Sequence, residues 1–241
     1  GQGYPSGSQG GEGRGTMTIV AGSVDATNVT VGYTATGTQS NNPAKGFLNL
    51  QGTGIFGADV LTLSDQMGSA VATGTVNLAG GTLKAAVMQK GGGSSLPVFN
   101  WNSGTIQNRG TGTNLAINSD FPLILQTVSN HTFYADSGAT VAVFGVIGGA
   151  GTGQVVKDGS GTLFLNGTNT YAAATVVSNG VMGGTGIISG TVTVKSGGIL
   201  APGAETGVLT IQSNLAFEAG SAMAVRINST NDYGQLTVTN G

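Results

Sequence analysis

The single histidine, His131, is the first candidate for catalytic chemistry, because an imidazole titrates near neutral pH. It lies in the segment SNHTFYADSG with Ser129, Asp136 and Ser137, and these residue types form the nucleophilic triads of hydrolases. A triad is defined by geometry, however, and residues along one strand and its turn need not converge. We therefore interpret His131 as an ordinary strand or turn residue.

A glycine-rich motif, GTGIFG from Gly52 to Gly57, matches the G-x-G-x-x-G pattern of dinucleotide-binding sites. Such a site also needs a helix after the motif and an acidic residue about 20 positions further on. Here the next run, ADVLTLSDQMG, is typical of a strand, and positions 71–77 hold no acid. No Gly-Lys dipeptide is present, so a P-loop is excluded as well.

The ten carboxylates are spread thinly along the chain, whereas the β-helical enzymes that cleave polysaccharides need clustered acids. Stacked coils could bring Asp59 and Asp65 together, but isolated acids are more often turn residues. The chain has no cysteine, and therefore no thiolate metal ligand and no disulfide. We expect no enzymatic activity, no cofactor and no catalytic or metal-binding residue.

The eight basic residues are isolated and Trp101 is the only tryptophan, so we expect no nucleic acid partner. Four aromatic residues could form a glycan-binding surface or pack between coils, and we favour packing: Tyr33, Trp101, Tyr134 and Tyr171. No apolar run approaches the roughly 18 residues of a membrane span, so we expect none.

Composition points to an unusual all-β architecture. The chain of 241 residues contains 45 glycines and only 7% charged residues, against averages of about 7% and 25%. Hydrophobic residues make up 39% of it, which argues against disorder. From Thr16 onward, runs such as TMTIV, NVTVGYTA and GFLNLQG alternate apolar and polar residues and end at turn formers, a pattern typical of β-strands. The apolar runs between Asn114 and Gly149 are continuous, which predicts strands covered on both sides.

A short internal repeat recurs along the chain, in which a glycine corner is followed by a residue that is usually threonine and then by an apolar residue. Its copies are Gly80–Leu83, Ser103–Ile106, Ser160–Leu163, Ser189–Val192 and Gly197–Leu200. Where copies adjoin, the spacing of about 20 to 30 residues is that of a solenoid coil. Glycine suits a corner that every coil repeats, and asparagines at 49, 77, 100, 102, 166, 179 and 214 suit turns or stacked amide ladders.

The segment 153–203 resembles the autotransporter-associated β-strand repeat of secreted bacterial surface proteins. The units that carry the resemblance are GSGTLFLNGTNTY at Gly159–Tyr171 and GGILAPG at Gly197–Gly203. The resemblance continues through Gly207 to Gly241, is looser over Thr16–Asn108 and does not include Gly1–Gly15. It implies an extracellular or surface-exposed passenger region folded as a single-stranded right-handed parallel β-helix, and the repeat spacing predicts about ten coils.

These observations predict two parts: a glycine-rich arm over 1–15 and a parallel β-helix over 16–241. The open strand edges of such a solenoid carry little charge here, so we expect head-to-tail stacking into an extracellular filament or surface layer. The arm would contact a neighbour, as an assembly arm that includes Gly1, Gln2, Gly3, Tyr4, Pro5 and Gly15. The predicted edge residues are Thr16, Met17, Ile19, Leu236 and Val238. The alternative is a monomeric passenger that acts as an adhesin or glycan-binding surface protein.

Overall fold

The computed structural model describes residues 12–35, 43–203 and 206–239, and in them the chain forms strands and no helix. The predicted all-β class is therefore confirmed. The strands are β1 Gly13–Ile19, β2 Ser23–Thr34, β3 Ala44–Gln66, β4 Ala72–Lys90, β5 Leu96–Asn108, β6 Leu115–Ile117, β7 Leu123–Leu125, β8 His131–Tyr134, β9 Thr140–Val143, β10 Ile147–Gly149, β11 Val155–Asp158 and β12 Thr162–Leu165. They continue with β13 Thr168–Asn169, β14 Thr175–Val177, β15 Gly180–Gly184, β16 Ile187–Ile188, β17 Val192–Val194, β18 Gly198–Pro202, β19 Gly207–Ile211, β20 Leu215–Phe217, β21 Ala222–Met223, β22 Ile227–Ser229 and β23 Asp232–Val238.

The strands stack into a solenoid with three faces, and each coil contributes one rung to each face. Face 1 starts at β1 and passes through the first parts of β3, β4 and β5 to β7, β10, β13, β16, β19 and β23. Face 2 begins with the first part of β2 and continues through later parts of β3, β4 and β5 to β8, β11, β14, β17 and β20. Face 3 begins with the second part of β2 and continues through the last parts of β3 and β4 to β6, β9, β12, β15, β18 and β21. The described pairs are parallel except that of β22 with β23, which is antiparallel.

This topology confirms the predicted parallel β-helix. Face 1 has ten rungs and faces 2 and 3 have nine each, which agrees with the expected ten coils. Neighbouring rungs lie 28 residues apart at Asn49 and Asn77 and 19 residues apart at Thr168 and Ile187. At a spacing of about 4.8 Å, ten rungs make a rod roughly 45 Å long.

The core is one continuous column of apolar side chains inside the coils. On face 1, Ile19, Leu50, Leu78, Trp101 and Leu125 follow one another in register and are all buried. Burial alternates along most strands because successive side chains point to opposite sides of the sheet.

The expectation of strands covered on both sides within 114–149 is wrong. In β9 the burial alternates between half-buried and buried positions, and Phe144 and Val146 just after it are exposed. A strand of a β-helix has solvent on its outer side even where its sequence is apolar throughout.

The corners between faces 1 and 2 depend on glycine in the first coils. Gly52, Gly80 and Gly104 have positive φ angles of 54°, 114° and 95°. At Gly104 an added Cβ would lie 2.8 Å from the carbonyl oxygen of Gly81 in the coil below. Both the backbone conformation and the close approach of the next coil therefore require glycine.

A ladder of amide side chains runs up the outer surface of face 1, as predicted for three of the asparagines. Asn77 Nδ2 donates to Asn49 Oδ1 at 2.8 Å, and Asn100 Nδ2 donates to Asn77 Oδ1 at 2.8 Å. Thr18 accepts from Asn49 at one end, and Gln126 donates to Asn100 at the other. The ladder links five consecutive rungs through their side chains.

Candidate functional site

His131 lies inside the solenoid, on β8, and is fully buried. Its Nε2 is 2.8 Å from the carbonyl oxygen of Trp101, and its ring meets the Trp101 indole edge-on at 5.3 Å between centroids. Nδ1 has no hydrogen-bond partner in the part of the chain described. Burial lowers the pKa of the imidazole, although hydrogen bonds to the backbone oppose the shift.

The geometry rules out a triad built on this histidine. The Asp136 carboxylate instead accepts hydrogen bonds from Gln107 and Asn108 on the preceding coil. Ser129 and Ser137 are exposed, whereas the ring of His131 is enclosed in the core. A substrate could not reach it without opening the coils.

The acidic pair suggested by the sequence is not brought together. Asp59 pairs with Arg109, and Asp65 accepts the backbone N–H of Gly92 at 2.9 Å. Among residues 12–35, 43–203 and 206–239, no group of three or more metal-ligating side chains converges.

Arg109 is a contact that we did not predict from the sequence. It follows β5 and reaches back over two earlier coils, pairing with Asp25 on β2 and with Asp59 on β3 at 2.9 Å. Both carboxylates raise the pKa of its guanidinium, with the Asp25 hydrogen bond the largest contribution. Gly57 lies beneath this cluster, and an added Cβ there would contact Arg109 Nη1 at 2.5 Å. The cluster clamps the first coils together, and its one guanidinium and two carboxylates leave a formal charge of −1.

Lys157 is a second feature that the sequence analysis missed. It points into the core from β11, in register with Phe133 and Val177, and is fully buried. Its ammonium donates to the backbone carbonyls of Asp158 at 2.9 Å, Gly159 at 2.6 Å and Asn179 at 2.9 Å. Desolvation lowers its pKa to about 8, while Asp158 opposes the shift. The lysine thus stabilises a glycine corner, because its three donors satisfy three carbonyl groups.

The aromatic residues do not form a continuous surface for a glycan. Trp101 and Tyr171 are fully buried, and the Tyr171 hydroxyl lies 2.8 Å from Thr175 Oγ1. Burial raises the pKa of Tyr171 to about 12. Tyr134 is half-buried and Tyr33 is exposed at the first coil. The prediction that these rings mainly pack between coils fits the buried pair and does not fit Tyr33.

The N-terminal end of the solenoid is open in the part of the chain described. β1 and β2 pair with β3 on one side. Met17 points inward, opposite the buried Leu48, yet is 48% exposed because no other described strand covers it. A cavity of about 500 Å³ opens here, lined by apolar side chains that include Val29, Val31 and Phe56.

Charges at this mouth are locally neutralised. Lys45 pairs with Glu12 at 2.6 Å. The Arg14 guanidinium lies 4.6 Å from the centre of the Phe47 ring, within cation–π range. The end therefore presents strand edges and apolar side chains without a strong net charge.

The C-terminal end is open in the same way. The last inward residues of the three faces lie opposite buried residues of the rung before: Phe217 opposite Val194, Met223 opposite Leu200 and Val238 opposite Ile211. These three side chains are 44%, 51% and 40% exposed. β22 covers the start of β23 through the hydrogen bond from Gly234 N–H to the Arg226 carbonyl.

The predicted edge residues all lie on these terminal rungs. Thr16 and Met17 are exposed on β1, while Ile19 is buried beside Leu50. On β23, Leu236 is half-buried and Val238 is exposed. Of the predicted arm, Gly15 lies within β1 opposite Gly46, so the first strand begins earlier than the predicted boundary. Gly1, Gln2, Gly3, Tyr4 and Pro5 lie outside the described residues.

Comparison with protein families confirms the resemblance over part of the chain. Residues 155–182 match the passenger-associated-transport-repeat, which includes Lys157 and its corner. The match covers 28 of the 241 residues and shows similarity to this repeat over that stretch alone. No curated protein and no solved structure matches the chain. Over the described residues, no helix is long and apolar enough to cross a membrane.

Proposed function

We propose that this protein is a structural subunit of an extracellular filament or surface layer, in which β-helices stack head to tail. The observation that supports the proposal is the matched pair of open ends. Each end presents unpaired strand edges of the same three faces and inward apolar side chains that are 40–51% exposed at Met17, Met223 and Val238. Apolar edges of this kind favour association with another strand.

The two ends differ, so their contact is heterologous, and a heterologous contact that does not close into a ring produces an open filament. The scarcity of charge supports this arrangement. The chain has a net charge of −2 and carries locally paired charges at its first coil. Repulsion between stacked copies is therefore small.

The rung count is compatible with a contact between the N-terminal segment and a neighbour in such a stack. Face 1 ends one rung later than faces 2 and 3, since β23 lies beyond the level of β20 and β21. A neighbour stacked on β23 leaves one rung unfilled on each of the other two faces. In a continuous β-helix this level is supplied by the chain that immediately precedes the next face 1 strand. We propose that the N-terminal arm of the incoming copy, predicted over 1–15, contacts this part of its neighbour.

Electron microscopy and light scattering of purified protein test the proposal. We expect filaments from the full chain and short rods from the variant Thr16→Pro. The Thr16 N–H points away from β3, so proline there blocks the edge with little effect on the coil beneath. Thr16→Val is the matched control, because it keeps the backbone donor, and it should still assemble. A variant lacking residues 1–11 retains all of β1 and should assemble poorly.

The second candidate is a monomeric passenger that binds a host or matrix glycan. The match to the passenger-associated-transport-repeat and the exposed Tyr33 favour it. Monodisperse rods from the unmodified protein at all concentrations would contradict the filament and favour this alternative. Glycan binding would then be expected to fall in Tyr33→Ala and to be kept in Tyr33→Phe.

A further inference from the structure

We propose that the end contact has one defined register, in which β23 of one copy pairs in parallel with β1 of the next and Val238 lies opposite Met17. This inference rests on the proposed head-to-tail assembly and specifies its geometry. Three features of the two strands agree with this alignment: the direction of their free backbone groups, the positions of their inward side chains and the outward polar residues Thr18 and Thr239. The first two recur every two residues, so β22 is what limits a slide along the strand.

The backbone groups of the two edges are complementary. In β1 the N–H of Gly13 donates to the Pro43 carbonyl at 3.1 Å, so alternate residues bond to β3 and the groups of Thr16 and Thr18 point away. In β23 the N–H of Thr239 donates to the Ile211 carbonyl at 3.0 Å, so those of Val238 point away from β19. With Val238 opposite Met17, its N–H meets the Thr16 carbonyl and its carbonyl meets the Thr18 N–H.

The inward side chains agree with this alignment. Val238 lies above the buried Ile211, and Met17 lies below the buried Leu48. Pairing the two places one partly exposed apolar side chain directly on the other and closes the core between copies. A shift of the pairing by one residue would place Val238 opposite an outward-facing residue of β1, so the two apolar side chains would no longer meet.

Polar residues in the outer column of face 1 also adjoin across the contact. At one end of face 1, Thr18 stands at the foot of the amide ladder, next to Asn49. At the other end, Ser189 Oγ donates to Gln212 at 3.1 Å, and Thr239 is the next residue in that column because Val238 lies opposite Ile211. The proposed register places Thr239 of one copy beside Thr18 of the next, so the polar run that ends at Gln212 and Thr239 would adjoin the amide ladder of the next copy. Within one copy the two polar runs are separated by Ile124 and Gly148.

β22 limits how far the incoming strand can slide. It is paired with Asp232 and Tyr233, and the Arg226 carbonyl accepts the Gly234 N–H. The free edge of β23 therefore begins at Gln235. In the proposed register it meets the stretch of β1 from Arg14 to Thr18, and a slide toward Asp232 would bring β1 against β22.

Engineered cysteines test the register directly, since the natural chain has none. Aligned residues on adjacent rungs have Cα atoms about 4.8 Å apart, within disulfide range. We expect the full chain carrying both Thr18→Cys and Thr239→Cys to form a ladder of covalent polymers on mild oxidation. Mixing the two single variants should yield disulfide-linked dimers that neither forms alone.

The matched control combines Thr18→Cys with Thr237→Cys, which is also outward-facing but one side-chain repeat away. Its Cα separation of about 8 Å in the proposed register is too long for a disulfide. Cross-linking of this control in preference to the Thr239 pair would overturn the register while leaving the filament intact, as would filaments in which neither pair cross-links. Dimers formed by either single variant alone would indicate contact between like ends and overturn the inference. Absence of any assembly would overturn the proposed function itself.

Discussion

Interior and terminal coils carry the same kinds of side chain in the same columns, yet their environments differ. On face 3, Met182 and Leu200 follow each other inward and are fully buried, whereas Met223, next in the same column, is 51% exposed. The residue type does not change at the end of the rod. What changes is that, among residues 12–35, 43–203 and 206–239, no further rung lies over Met223.

The polar groups show the same contrast. Inside the rod, the buried Lys157 ammonium has three carbonyl partners. At the first coil, the outward backbone groups of Thr16 and Thr18 point away from β3. Among the described residues, the buried side-chain polar atoms of the interior are paired except for Gln66 Oε1 and His131 Nδ1, whereas the ends retain both apolar and hydrogen-bonding capacity.

The largest expected effect compares the two methionines in that column. Met182→Ala should destabilise the protein by about 2–5 kcal/mol, because it leaves a cavity in a packed core. Met223→Ala should cost less than about 1 kcal/mol in the unassembled protein, because its side chain is half exposed. Urea unfolding at low protein concentration measures both. Equal losses would show that the last coil is as enclosed as the interior and would remove the contrast.

The buried lysine provides a pH test of the interior. The pKa of Lys157 falls from 10.5 to about 8 on folding, so the folded chain releases its proton first. The free energy of unfolding should therefore rise between about pH 8 and 10.5, by on the order of 2 kcal/mol from about pH 7.5 to 9.5. The raised pKa of Tyr171, about 12, acts oppositely above pH 10.

Lys157→Met should abolish this rise, whatever its effect on overall stability. Unfolding midpoints of the unmodified protein and of Lys157→Met, measured from about pH 7.5 to 9.5, test this expectation. A rise that survives in Lys157→Met would mean that another group causes it and that the lysine is not desolvated in the core.

The smallest expected effect concerns His131. Its pKa lies below the ordinary value because the ring is buried, so below about pH 6.5 the unfolded chain binds a proton that the folded chain does not. Stability should fall as the pH drops from about 7 toward 5. His131→Gln should flatten that part of the profile, measured as the thermal midpoint against pH. An unchanged profile in the variant would contradict a desolvated imidazole.

Much of the solenoid follows from local sequence. Alternating runs predicted β1 to β5, and the recurring asparagines were predicted to suit turns or amide ladders. The structure contains such a ladder at Asn49, Asn77 and Asn100. These features were accessible because each coil repeats the same turn and strand chemistry. The inward position of Lys157 could have been suspected from its alternation with Val155 on β11.

Other features depend on residues that are far apart in the chain. Arg109 binds Asp25 and Asp59, which lie 84 and 50 residues earlier in the chain. In the sequence, Tyr33 and Trp101 were equal candidates for a surface role, yet Tyr33 is exposed and Trp101 is buried. Burial inside a solenoid depends on the rung above and the rung below, and neither is a local property.

The sequence by itself determined that this chain forms strands with glycine corners, since strand alternation and positive φ angles are demands on single residues and their neighbours. The tertiary structure decided the register between coils, and with it which polar groups are satisfied, which apolar groups are enclosed and which backbone edges stay free. Register is a relation between residues that lie 17 to 32 positions apart in the chain, and several alignments satisfy the same local pattern until the side chains of all three faces pack together.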